Sequence, residues 1–96
     1  MKVSIYFYGV LKKLAGFSHI EVEVEDKISI KSLIKTIIRK VDKREFTERF
    51  YDKDTEFIKP DIIVLINDRD INLLGRENTA IKDGDKVVFI PSIHGG

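Results

Sequence analysis

The residues whose chemistry stands out lie at the end of the chain, Pro91-Ser92-Ile93-His94-Gly95-Gly96. They follow directly on an apolar run, Val87-Val88-Phe89-Ile90, that reads as a strand. A terminal carboxylate is ionised at neutral pH and, unassisted, is a poor acyl donor. Its reach is what matters here. Gly95 and Gly96 carry no Cβ, so their backbone can enter a slot too narrow for any other residue. Fully extended, the segment from Ser92 to Gly96 spans roughly 17 Å, enough to pass a carboxylate into a partner's recessed active site. A glycine pair at a terminus is by itself an ordinary frayed end, so its meaning depends on the body that carries it.

The rest of the sequence is chemically quiet. Cysteine is absent, which removes disulfides, a cysteine nucleophile, zinc–thiolate sites and iron–sulfur ligation together. There is no Gly-x-x-x-x-Gly-Lys and no Gly-x-Gly-x-x-Gly run to cradle a nucleotide. His94 has only His19 as a fellow histidine, so no metal site is expected. The 96 residues suit one domain with a modest core. A charged fraction of 34% that nearly cancels, to +1, argues against direct nucleic-acid binding. No apolar run reaches transmembrane length and no secretory signal opens the chain, so a soluble, cytoplasmic protein is expected and no membrane partner.

Several elements must position the tail. Lys2 to Tyr8 alternates, with Val3, Ile5 and Phe7 on one side and Ser4, Tyr6 and Tyr8 on the other, which predicts a strand ended by Gly9. Val10 to Gly16 reads as a connector with Leu11 and Leu14 tucked under the sheet. Ile20 to Glu25 alternates again, and its row of glutamates suits a sheet edge. Ile30, Leu33, Ile34, Ile37, Ile38 and Val41 fall on one helical stripe, with Ser29 as N-cap. The basic residues Arg39, Lys40, Lys43 and Arg44 crowd the helix end, where they complement the dipole as a solvated cluster. Asp42 to Lys59 is charged and irregular, with Phe46 and Phe50 spaced for one or two helical turns packing on the core. After Pro60, Ile62 to Ile66 reads as a strand that is central or covered on both faces. Asn67 to Asp70 is turn chemistry, Ile71 to Leu74 a short extended piece, and Asp83-Gly84-Asp85 a tight turn into the last strand.

One helix across one face of a mixed sheet is the economical packing. The last strand belongs in the centre, beside and parallel to the first, joined by a right-handed crossover. The expected fold is α+β: a ubiquitin-like β-grasp of four to five strands with one main helix, over residues 1–90. Residues 91–96 are expected to form a flexible C-terminal tail. Pro91 marks where strand becomes tail, because it cannot donate to a ladder.

The chain resembles the ubiquitin-like sulfur carriers, the group of MoaD, ThiS and the ubiquitin-related modifier. The last of these is the nearest likeness. The resemblance rests on Phe7-Tyr8-Gly9, Leu11 and Leu14-Ala15-Gly16 at the start. It continues through Lys59 to Asp68, Leu74-Gly75, Asp83-Gly84-Asp85, Phe89-Ile90 and His94-Gly95-Gly96. It covers the whole chain, weakly in Asp42 to Lys59. MoaD-type chains more often carry a proline pair and an alanine before the glycines. Pro91-Ser92-Ile93-His94 therefore favours tRNA thiolation or protein modification over molybdopterin synthesis.

The resemblance implies a non-enzymatic carrier, a co-substrate of an E1-like adenylating enzyme. That partner would spend ATP, with its magnesium, on the Gly96 carboxylate; no cofactor is intrinsic. A persulfide from a sulfurtransferase would then displace AMP and leave a thiocarboxylate for a tRNA thiolase making 2-thiouridine. A molybdopterin synthase large subunit is the alternative acceptor, and conjugation to target-protein lysines can coexist. Gly96 would carry the reacting carboxylate and Gly95 would let the backbone thread. His94 and Ile93 would fix register in the partner's channel. Tyr6 and Tyr8 either dock the partner or fill a second packed layer. A non-covalent β-grasp binding module with an incidental tail is the reading from another class.

Overall fold

The computed structural model describes residues 1–92. Its main sheet has five strands in the order β2-β1-β7-β5-β6. β1 (Lys2–Phe7) and β2 (His19–Glu23) pair antiparallel, with Val3 opposite Val22 and Ile5 opposite Ile20. β7 (Lys86–Pro91) lies in the middle, parallel to β1 and antiparallel to β5 (Ile62–Ile66). β6 (Arg69–Asp70) closes the far edge. The expected placement of the last strand beside the first therefore holds, as does the acidic edge strand.

The alternation of β1 sends Val3, Ile5 and Phe7 into the core. There they meet α2 (Ile30–Val41), whose Ile30, Leu33, Ile34, Ile37 and Val41 are buried. Ser29 caps α2, its side chain accepting a bond from the Ser32 amide at 3.3 Å. The irregular stretch that follows is ordered. α3 (Arg44–Phe50) packs Phe46 and Phe50 into the core, and β3 (Tyr51–Asp52) pairs with β4 (Phe57–Ile58) as a separate two-stranded hairpin. Phe46, Phe50 and Phe57 are all buried, which makes them anchors of this connection.

Four expectations need correction or narrowing. Val10 to Gly16 is not a connector but belongs to a short helix, α1 (Gly9–Ala15), closed by Gly16. Leu11 and Ala15, four residues apart and so on one face of the helix, are buried. Ile71 to Leu74 is not extended. Ile71–Leu73 is a 3₁₀ turn with the Asp70 carboxylate accepting from the Asn72 amide at 2.8 Å, and the strand pairing sits earlier, at Arg69–Asp70. β5 lies inside the sheet, between β7 and β6, but is not covered on both faces; Ile63 is 49% exposed on the open side of the sheet. Finally, β7 includes Pro91, opposite Ile62. One residue on, the Ser92 amide donates to the Asp61 carbonyl at 3.1 Å, so Pro91 occupies a non-hydrogen-bonded position against β5 and its missing donor interrupts nothing there.

Candidate functional site

The strand that leads to the tail is the best anchored of the sheet. Phe89 of β7 is fully buried and its ring lies 5.0 Å from Phe50 and 5.9 Å from Phe7, centroid to centroid. Phe7 in turn meets Phe46 edge-on at 5.1 Å, and Phe46 stacks on Phe50 at 4.8 Å. Four rings from β1, α3 and β7 thus lock together in geometries that aromatic quadrupoles favour. β7 has a hydrogen-bonded neighbour on each side. Displacing it would break two ladders, so the point at which the chain leaves the sheet is fixed.

That exit is lined on two sides. Pro91 is buried, and its ring packs over Gly9 of α1. Gly9 has φ +56°, and a Cβ there would stand 3.3 Å from Pro91 Cγ. Both the left-handed backbone and the close approach call for glycine. Asp61 lies on the opposite flank. Its carbonyl accepts the Ser92 amide, while its carboxylate takes both guanidinium arms of Arg49, at 3.1 Å and 2.6 Å. The Arg49 hydrogen bonds hold the Asp61 carboxyl below its ordinary range, against the opposing effect of burial, and the Ser92 backbone pulls the same way. Ile93, His94, Gly95 and Gly96, the expected reacting and register residues, lie outside the described residues, as does most of the expected tail.

Tyr6 and Tyr8 are found on the open face of the sheet, away from α2. Tyr8 is 50% exposed and its amide donates to the Phe89 carbonyl at 3.1 Å, so it stands beside the end of β7. Tyr6 stacks on His19 at 4.5 Å, with Lys86 Nζ 5.1 Å from its ring centroid. No second layer of the described residues covers them. Val88 lies across from both Tyr6 and Leu65, and Ile63 is across from Ile90, so the two tyrosines belong to a wider apolar surface. Sequence reading missed Ile63 and Leu65 as members of it, although an unbroken apolar β5 is the signal for a strand that is apolar on both faces. Arg49 and Asp61 were also missed. Nothing local announces a pair that meets across the α3–β5 connection.

Among the described residues, no group of three His, Cys, Asp or Glu side chains is placed to hold a metal ion. No helix among them is long and apolar enough to cross a membrane. What the body offers is a rigid root for the closing segment and an apolar face next to it.

Comparison with known proteins agrees with this geometry. The family described as Urm1 (Ubiquitin related modifier) matches residues 2–96. A ubiquitin-related modifier 1 homolog of Dictyostelium discoideum is 38% identical over 99 residues, covering all of both chains. The fold is shared with SAMP1 from Haloferax volcanii, at a TM-score of 0.85 and 18% identity with all of both chains covered. It is shared equally with Urm1 from Trypanosoma brucei, at a TM-score of 0.81 and 23% identity over 99% of this chain and 95% of that one. The architecture is a ubiquitin-like β-grasp, and the chain belongs to the ubiquitin-related modifier family.

Proposed function

We propose that this chain is a ubiquitin-like sulfur carrier that acts through the Gly96 carboxylate. The observation that carries the reading is a core strand, bonded on both sides, that ends at Pro91, five residues short of Gly96 in sequence, on a body whose described residues gather no group of three His, Cys, Asp or Glu side chains that could hold a metal ion. An E1-like partner, holding ATP and magnesium, adenylates the carboxylate: a Gly96 oxygen attacks the α-phosphorus and pyrophosphate leaves. A persulfide sulfur supplied by a sulfurtransferase attacks the acyl carbon and AMP leaves. Thiolysis of the resulting acyl persulfide yields the thiocarboxylate and a disulfide on the donor side. Gly95 lets the backbone thread the partner's channel, His94 and Ile93 set its register, and the surface around Tyr6 and Tyr8 docks the partner in the cytoplasm. The preferred acceptor is a tRNA thiolase forming 2-thiouridine. The Pro91-Ser92-Ile93-His94 approach to the glycines supports this over a molybdopterin synthase large subunit.

Intact mass after incubation with the adenylating partner, ATP and a sulfur donor tests the reading. An oxygen-to-sulfur exchange confined to Gly96 is expected. Unmodified protein returned from a reaction in which Gly96 is demonstrably adenylated ends the carrier role. Membership of a family described as modifiers favours a second use of the same activated carbonyl, capture by a lysine amine on a target protein. Lysine-branched peptides ending in the Gly95-Gly96 remnant would report it.

A further inference from the structure

The ion pair between Arg49 and Asp61 is placed to do something other than stabilise the fold. Both side chains are partly solvated, with Arg49 28% and Asp61 42% exposed. Pairs of that kind contribute little to global stability. Their geometry is nevertheless two-pronged, which fixes direction as well as distance. Arg49 is mounted firmly, because its neighbour Phe50 is fully buried against Phe89 of β7. Asp61 is the residue between Pro60 and β5, in a turn where the Ile62 amide donates to the Lys59 carbonyl at 3.1 Å. It is also the residue whose carbonyl accepts the Ser92 amide, the last ladder bond described before the tail.

We propose that Arg49 and Asp61 form a clamp on the root of the C-terminal segment, so that both act as positioning residues for presenting Gly96 to the adenylating partner. Locking the Asp61 carboxylate to α3 orients the Asp61 peptide, and the Asp61 carbonyl then holds Ser92 in line with β7. Pro91 against Gly9 blocks the other side. The course of the chain is thereby fixed as far as Ser92. A partner that engages the segment meets a root whose direction at Ser92 is already set, which lowers the ordering cost of binding. This inference rests on the carrier reading for its functional half and on the described geometry alone for its structural half.

The test uses the full chain and the variants Arg49→Ala, Arg49→Lys and Asp61→Asn. Amide hydrogen exchange of Ser92 is expected to quicken about tenfold in Arg49→Ala, the effect of one modest hydrogen bond's worth of closure, with Val64 and Phe89 unchanged. Arg49→Lys keeps the charge but not the fork, and should recover only part of the protection. Ser92 exchange within about twofold of wild type in Arg49→Ala overturns the clamp. In adenylation by the E1-like partner, KM for the carrier should rise several-fold in Arg49→Ala and Asp61→Asn with kcat unchanged. An unchanged KM alongside faster Ser92 exchange overturns the positioning role while leaving the carrier reading intact. A wild-type chain that is never adenylated overturns the carrier reading and the positioning role with it, and the exchange experiment still decides whether the clamp exists.

Discussion

Replacing Phe50 by alanine should be strongly damaging. Phe50 is 0% exposed and its ring touches three others: Phe46 stacked at 4.8 Å, Phe89 edge-on at 5.0 Å and Phe7 edge-on at 6.1 Å. A buried Phe→Ala change costs about 3–5 kcal/mol through lost transfer energy and the cavity left behind. A domain of this size has about 5–15 kcal/mol in total, so the change removes a large share of the stability. With each kcal/mol worth about 4–8 °C in a small domain, Tm should fall by about 12–40 °C. Urea denaturation followed by circular dichroism gives the free energy directly, and an unchanged m-value would show that the same surface is exposed on unfolding. Leu73→Ala is the control: at 83% exposure it should move stability by no more than about 0.5 kcal/mol. Combining Phe46→Leu with Phe50→Leu, changes small enough to leave the double variant folded, should reveal a coupling of about 0.5–1.5 kcal/mol for the stacked pair. A loss below about 1.5 kcal/mol for Phe50→Ala would mean the rings do not cooperate, and the account of β7 as a rigidly held strand would fail with it.

Four further outcomes are expected. Asp85 is buried, and its carboxylate accepts the Asn67 side-chain amide and the Lys82 backbone amide, each at 2.8 Å; Asp85→Ala strands both donors and should cost about 1–3 kcal/mol by urea denaturation. Gly9→Ala combines a left-handed backbone with a 3.3 Å approach to Pro91 and should cost about 1–2 kcal/mol, read from the same transition. The folded chain holds the Asp61 carboxyl below its ordinary 3.8, so the pair's contribution is complete above that value and is lost as pH falls through the lower folded one. Asp61→Asn should therefore flatten that part of the acid limb of Tm against pH, by a small amount because the pair is solvated; an unaltered limb would remove Asp61 from the account. Deleting Gly96 should abolish sulfur loading by intact mass while shifting stability by less than about 0.5 kcal/mol, and retained function in the deletion would favour a binding module with an incidental tail.

Much of this architecture is legible in the residues. Alternation in Lys2 to Phe7, the apolar stripe from Ile30 to Val41 and the turn before Lys86 each carry their own period or turn chemistry, and these set the β-grasp. What resists reading is short or long-range. α1 has only seven residues, too few for a period to stand out between two glycines. The turn at Ile71–Leu73 is decided by one side-chain cap from Asp70, which propensity does not register. Exposure of Ile63 follows from β5 lying second from an edge and from an open sheet face, facts of topology and not of local pattern. At the candidate site, Tyr6 and Tyr8 are legible because strand parity assigns their face. Arg49 and Asp61 are not, because their meeting depends on how α3 docks.

The parallel pairing of β1 with β7 has a consequence for how the molecule is made. During synthesis β1 must wait for β7, which fills the gap between β1 and β5. Pairings so distant along the chain are slow to close. A product cut short before Lys86 therefore leaves its sheet split into two unjoined halves, β2-β1 and β5-β6, and the assembled body waits on the synthesis of β7.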